Sequence, residues 1–286
     1  MMQLNKINVT AINTINRQLN LTMLCCFCTQ TKYSGNLAGV IQDFSGSDID
    51  AISLAKQFNL PVLACVYSTP TIPLIRFFYP TTEMTSCIHG TMAVAKILLD
   101  DLKQSSIKLQ NKDGVIIEVK QTVNNNFQVV TAVLPHKTIV IDKQLIINML
   151  NLPSLDYIDE TLFCGIASIG SPKLFVPVSS LTILHNIIPR FDAITKWSVK
   201  HGINGLYVYT PQTLTSTANF HARAFNPLTG NNEDAATGVA AGALAGILKT
   251  NLQIEQGYTM NTPSLIKVTY INPNQILIGG KVNITD

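Results

Sequence analysis

Two polar loops carry the residue types that could do chemistry in this chain. The first contains Glu83, Cys87 and His89, and the second contains Glu233 and Asp234. A thiol, an imidazole and carboxylates are the side chains that most often take up and release protons in enzymes. The two loops therefore predict a proton-transfer site, provided that the fold brings them together.

Each loop leads into a segment of small apolar residues that predicts a helix. Residues 90–99 and 237–248 are apolar on nearly every face, which favours helices buried on all sides, as when a sheet wraps around them. A helix N-terminus presents free N–H groups and a partial positive charge, and it therefore suits a substrate carboxylate. The candidate binding residues at these two positions are Gly90, Thr91, Thr237 and Gly238.

Each loop is preceded by a predicted strand with the pattern Arg-x-Phe-x-Pro. The pattern occurs at residues 76–80 and again, about half a chain later, at 223–227. This duplication favours two similar lobes with an active-site cleft between them. We expect an N-terminal extension over residues 1–20, an N-terminal lobe over 21–135 and a C-terminal lobe over 136–286. Strands are predicted at 21–28, 37–42, 62–67, 73–79, 106–109, 114–119, 127–133, 161–168, 174–178, 206–210, 219–225, 266–271 and 275–282, and further helices at 48–59, within 137–152 and at 193–200.

Composition narrows the class of protein. The 286 residues are 47% hydrophobic and 13% charged, with a net charge of +3 and no long basic run, so the chain has no electrostatic signature of nucleic-acid binding. No apolar run is long enough to span a membrane. The six cysteines form no disulfide framework, and Cys25, Cys26 and Cys28 fit a buried strand better than a metal site. We therefore expect a cytoplasmic protein with no metal and no membrane or nucleic-acid partner.

Each chemical candidate also has a structural interpretation. Glu233 and Asp234 could simply complement a helix dipole, Cys87 could be a small buried residue, and His89 could be a hydrogen-bonded core histidine. Their grouping at matching positions of both copies favours the functional interpretation. The other histidines, at 136, 185, 201 and 221, are assigned no role.

Four segments resemble the PhzF-like isomerase family of phenazine biosynthesis, whose relatives include diaminopimelate epimerase and proline racemase. They are residues 27–40, 76–91, 168–172 and 223–238. The last is the most specific, because Arg223 to Pro227 followed by Glu233-Asp234-Ala235-Ala236-Thr237-Gly238 is similar to the family's Arg-x-Phe-x-Pro…Glu-Asp-Pro-x-Thr-Gly-Ser.

The resemblance implies an α/β (α+β) fold of the diaminopimelate epimerase type, with two pseudo-symmetric lobes, each a curled sheet wrapped around a central helix. It also implies a cofactor-independent isomerase or epimerase, of a kind that is often a homodimer, that moves a proton on a small carboxylic acid. His89 and Asp234 would flank that substrate. Asn36, Ser171 and the two helix starts would hold it.

The chain departs from the family pattern at the residue that should accept the proton. Val62 stands where the family has its general-base Glu, and Val239 stands where it has a Ser. Under the isomerase hypothesis, Cys87, Glu83 or Asp234 takes over as base. The alternative is a catalytically silent homologue that binds a small acid or a protein partner. A thiol-dependent hydrolase is a third hypothesis, but the chain has no further nucleophile signature.

Overall fold

The computed structural model describes residues 6–9, 19–31, 33–132 and 141–285. The first half contains β1 (Lys6–Val9), β2 (Leu19–Cys28), β3 (Asn36–Gln42), α1 (Asp48–Gln57), β4 (Leu63–Tyr67), β5 (Leu74–Phe78), β6 (Glu83–Met84), α2 (Ile88–Leu102), β7 (Ser106–Asn111), β8 (Ile116–Gln121) and β9 (Asn126–Thr131). The second half contains α3 (Lys143–Leu150), β10 (Gly165–Ala167), β11 (Lys173–Pro177), α4 (Leu181–Asn186), α5 (Phe191–His201), β12 (Leu206–Thr210), β13 (Phe220–Asn226), β14 (Asn231–Asp234), α6 (Gly238–Leu248), β15 (Leu252–Gln256), β16 (Ser264–Asn272) and β17 (Gln275–Ile284).

In the first half, the strands form a ring around helix α2. The pairing runs β2–β3–β4–β5–β7–β8–β9, with β3–β4 and β5–β7 parallel and the other pairs antiparallel. The last strand of the chain, β17, pairs with both β9 and β2 and closes the ring. Most of α2 is buried, and its buried lysine, Lys96, is paired with Asp100 one turn later. A helix so uniformly apolar is stable only inside such an enclosure.

The second half repeats this pairing in the same order and sense. Strands β10 and β11 are antiparallel, β11 and β12 parallel, β12 and β13 antiparallel, β13 and β15 parallel, and β15, β16 and β17 antiparallel. Helix α6 packs against β16 and β17. A Cβ on Gly242 would lie 2.4 Å from Ile278 Cδ1 and 2.6 Å from Ile169 Cδ1, which explains the glycine in a buried helix. The predicted fold class, two similar curled sheets around central helices, is confirmed.

Several element bounds differ from the predicted ones. The structure adds β15 and α4, which were not predicted, and it pairs β1, inside the predicted extension, with β2 in antiparallel register. The predicted boundary between residues 135 and 136 and most of the predicted extension lie outside the described residues. Within the described ranges, no helix is both long enough and apolar enough to cross a membrane.

Candidate active site

The first loop places Cys87 and His89 side by side at the start of α2. Cys87 is the N-cap, and its Sγ accepts a hydrogen bond from Gly90 N at 3.3 Å. The same sulfur lies 3.3 Å from His89 Nδ1, and both side chains are buried. Thr91 Oγ1 donates to the Cys87 carbonyl at 2.7 Å and so fixes the cap. The thiol and the imidazole therefore form one unit.

The charge state of His89 is set by its neighbours. Burial lowers the pKa of His89, but the adjacent Cys87 sulfur and the Asp234 carboxylate outweigh burial, and the net result is a raised pKa. A raised pKa increases the fraction of imidazolium at neutral pH.

The second loop places Asp234 at the end of β14, just before α6. Its Oδ1 accepts a hydrogen bond from Asn36 Nδ2 at 2.6 Å, and its Oδ2 accepts one from Thr237 Oγ1 at 2.6 Å. Gln256, which is fully buried, donates from Nε2 to the Asp234 carbonyl at 2.6 Å and accepts from Thr237 N at 3.1 Å. The carboxylate is thus held in one orientation by residues of both lobes.

The two helix starts meet at Gly238 and Ile88. A Cβ on Gly238 would lie 3.0 Å from Ile88 Cβ and 3.1 Å from Phe27 Cζ, so only a glycine allows this approach without rearrangement. The cavity beside this contact is lined by six of the predicted residues, namely Cys87, His89, Ser171, Asp234, Thr237 and Gly238. The two loops therefore meet in one cavity.

Three other predicted binding residues lie just behind the cavity lining. Asn36 is completely buried and contacts Asp234 and the Ala236 carbonyl through Nδ2. Gly90 and Thr91 hold the Cys87 cap, as described above. In this structure these residues therefore position Cys87 and Asp234.

Glu83, the fourth predicted catalytic residue, lies outside this cavity. Its carboxylate accepts two hydrogen bonds from Arg76, each at 2.9 Å, and a third from Lys112 at 3.1 Å. The hydrogen bond from Arg76 lowers the pKa of Glu83 most, and Lys112 lowers it further. These contributions outweigh burial, which raises it, so the net pKa lies below the usual glutamate value. In the second repeat, Glu233 forms the equivalent bidentate pair with Arg223 at 2.8 Å. Both glutamates thus tie a loop to its strand.

Val62 and Val239, where the family resemblance leads us to expect a Glu and a Ser, are both apolar. Val62 is fully buried in the apolar cluster that surrounds α2. Val239 lines the cavity. Among the described residues that line the cavity, Asp234 is the one carboxylate.

Sequence reasoning missed a buried lysine in the cavity wall. Lys173, the first residue of β11, is 1% exposed and lines the cavity together with Asn204 and Asn226. Its Nζ donates to the Asn204 carbonyl at 2.7 Å and to Asn226 Oδ1. Burial lowers the pKa of Lys173 to about 8, against an opposing contribution from Asp234. The only available signal was a lysine at the start of an apolar strand.

The cavity is narrow. The space that can hold the centre of a water molecule is about 30 Å³. Besides the Asn36 contacts with Asp234 and the Ala236 carbonyl, two further hydrogen bonds between described residues join the lobes near it. Thr81 Oγ1 donates to the Leu228 carbonyl at 3.0 Å, and Asn231 Nδ2 donates to the Pro61 carbonyl at 3.0 Å.

A family model described as phenazine biosynthesis-like protein matches residues 26–284. The chain belongs to the phenazine biosynthesis-like protein family. An uncharacterized isomerase of Clostridium acetobutylicum is 30% identical over 242 residues, which cover 81% of this chain and 80% of that protein. The crystal structure of a PhzF-family phenazine biosynthesis protein of Bacillus anthracis superposes with a TM-score of 0.82 at 21% identity, covering 94% of this chain and 97% of that one. A probable proline racemase of Agrobacterium radiobacter, solved with bound carbonate, has a TM-score of 0.58 at 10% identity, covering 93% and 91%.

This family member contains a second buried polar cluster, none of whose residues lines the cavity. His221 Nδ1 lies 3.0 Å from Glu255 Oε2, and His221 Nε2 lies 3.1 Å from His185 Nε2. Burial lowers the pKa of both histidines. Burial raises the pKa of Glu255, but hydrogen bonds from Thr215, Leu214 and His221 outweigh it, and the net pKa is lowered. The two histidines had been assigned no role from the sequence.

Proposed function

We propose that this chain is a cofactor-independent isomerase or epimerase that moves a proton on a small carboxylic acid. The observation that carries the proposal is the meeting of Cys87 and His89 from one lobe with Asp234 from the other, beside two opposed helix N-termini. The names of the relatives, which are uncharacterized isomerases, support the same class of reaction.

The chemistry follows from the groups at hand. When a proton leaves the carbon beside a carboxylate, the electron pair of the C–H bond moves onto the carboxylate oxygens. Positive helix ends and a cationic imidazole stabilise that charge. The candidate proton acceptors are the Cys87 sulfur and the Asp234 carboxylate, and His89, whose pKa is raised, is the donor that returns a proton. Glu83 is omitted from this set because Arg76 and Lys112 occupy its carboxylate.

A second candidate function is non-catalytic binding of a small acid. The burial of Val62 in an apolar cluster favours it, because the position of the usual base cannot accept a proton. Val239 likewise brings no hydroxyl group to the cavity.

We also propose a cytoplasmic location and a homodimer. All six cysteines are unpaired, which supports a reducing compartment. The homodimer rests on the family resemblance.

The test is incorporation of deuterium from solvent into a panel of small amino and hydroxy acids, measured by mass spectrometry. We expect exchange in the native protein and its loss, by about 100-fold or more, in Asp234→Asn and in Cys87→Ala. Cys164→Ala is the matched control, because Cys164 does not line the cavity. Demonstrable binding of an acid without any exchange would exclude the isomerase and leave the binding protein.

A further inference from the structure

Among the residues that the structure describes, Lys173 is a buried cation without an anionic partner in direct contact. Its two hydrogen-bond acceptors, the Asn204 carbonyl and Asn226 Oδ1, are both uncharged. Lysine is almost never fully buried unless its charge is paired, because removing an ammonium group from water costs much free energy. An ammonium group has three N–H bonds, and these two acceptors use only two of them. One donor is left for another group.

Two neighbouring side chains offer further donors at the same wall. Ser171 Oγ accepts a hydrogen bond from Asn204 Nδ2 at 2.9 Å, so its own hydrogen can be donated elsewhere. Asn226 Oδ1 accepts the hydrogen bond from Lys173 Nζ, so the NH₂ group of the same Asn226 amide points away from that contact. Ser171 and Asn226 are each 6% exposed, and both line the cavity with Lys173. This wall therefore has donors and a positive charge.

We propose that Lys173, with Ser171 and Asn226, binds the carboxylate of the substrate and makes an anionic group a requirement for binding. The inference rests on the proposed function and extends it, since it assigns the negative end of the substrate to the β11 wall. The adjacent carbon then lies toward Cys87, His89 and Asp234, which line the rest of the same cavity.

The assignment explains why the lysine can be retained in the core. A bound carboxylate supplies the missing counter-charge, and it raises the pKa of Lys173 from about 8 toward its ordinary value. By linkage, the affinity for an acid is highest while Lys173 is protonated and falls as the pH rises above about 8. The other titratable groups that line this cavity are Tyr79, Cys87, His89 and Asp234. The pH dependence of acid binding can therefore be attributed to Lys173 only by comparison with a variant that lacks this lysine.

The experiment is calorimetric titration of the full chain with propionate, malonate and, as a neutral analogue, propionamide. We expect the native protein to bind an acid and not the amide, with affinity falling about tenfold per pH unit above pH 8. Lys173→Met should bind the acid about tenfold to 100-fold more weakly and lose the decline above pH 8. The control is Lys112→Met, which removes the lysine that pairs with Glu83 outside the cavity. This variant should bind the acid with the native affinity.

Each result decides the proposal. Equal acid affinity in Lys173→Met and in the native protein, or no acid binding to the native protein, overturns it. If Lys173→Met fails to fold, a native affinity that stays constant from pH 7 to pH 9.5 still overturns it. Binding lost in Lys173→Met, with no deuterium exchange in the native protein, supports the carboxylate site and rejects only the isomerase.

Discussion

The duplicated Arg–Glu pair provides a stability test with an internal control. We compare Glu233→Gln with Glu83→Gln. Arg223 has a side-chain exposure of 8%, and its acceptors other than Glu233 are backbone carbonyls of residues 184, 185 and 187. Arg76 is 21% exposed and keeps Asp48, 2.7 Å away, after Glu83 is neutralised. Among the described contacts, only Glu233→Gln therefore leaves a buried guanidinium without a carboxylate.

The magnitudes follow from burial. Removing one partner of a buried ion pair costs about 3–5 kcal/mol, and because Glu233 is itself 16% exposed we expect the lower end, about 3 kcal/mol. Glu83 is similarly buried, at 15% exposed, but Arg76 is more exposed and keeps Asp48, so for Glu83→Gln we expect only about 1 kcal/mol. At about 2 °C per kcal/mol for a chain of this size, the Tm should fall by about 6 °C and about 2 °C, respectively.

The assay is urea unfolding followed by the fluorescence of Trp197, the one tryptophan, together with thermal scans. Trp197 lies in α5 of the second lobe, close in sequence to the carbonyls that Arg223 binds. The control is Asp48→Asn, which should cost less than about 1 kcal/mol because Asp48 has a side-chain exposure of 55%. Equal losses for Glu233→Gln and Glu83→Gln would refute the reasoning from burial.

Two further predictions concern the second lobe. Gly205→Ala should lower the free energy of unfolding by about 2–4 kcal/mol, because φ is +80° and a Cβ would lie 1.9 Å from a backbone oxygen of β13. The control is Gly202→Ala, which has φ +65° but open space around the Cβ position and should cost only about 1 kcal/mol. Urea titration measures both values. The pKa values of His185, His221 and Glu255 are all lowered by folding. The unfolded chain therefore binds more protons as the pH falls, and stability, full above about pH 6.5, should decline by about 1–2 kcal/mol by pH 5. A flat profile from pH 7 to pH 5 would contradict the assignment, and His221→Gln should flatten it.

The fold could be predicted because its strongest signals are local and repeated. The Arg-x-Phe-x-Pro strands and the two apolar helices can each be recognised from a motif or a periodicity within a single short segment. Strand β15 was missed because Leu252–Gln256 alternates weakly and ends in Glu255 and Gln256, which are polar yet buried. Their burial depends on partners in distant segments, such as His221 and Thr237.

The site was only partly predictable for the same reason. Cys87, His89 and Asp234 stand in motifs, and the structure brings them to one cavity. Lys173 stands in no motif, and its importance comes from being buried without a counter-ion, a property that exists only after β11 packs beside β12 and β13. The structural role of Glu83 likewise depends on Lys112, which follows β7 in sequence and donates a hydrogen bond to the Glu83 carboxylate only in the folded chain.

The narrowness of the cavity has a kinetic consequence. The space for the centres of water molecules is only about 30 Å³, so an acid with several carbons needs a wider cleft than this one. That opening must break the rim contacts of Thr81 with Leu228 and of Asn231 with Pro61. The apparent affinity for any ligand is then the intrinsic affinity scaled by the open fraction, and the same motion governs product escape. The hydrogen bonds of Thr81 and Asn231 between the lobes therefore add to the free energy that ligand entry must supply.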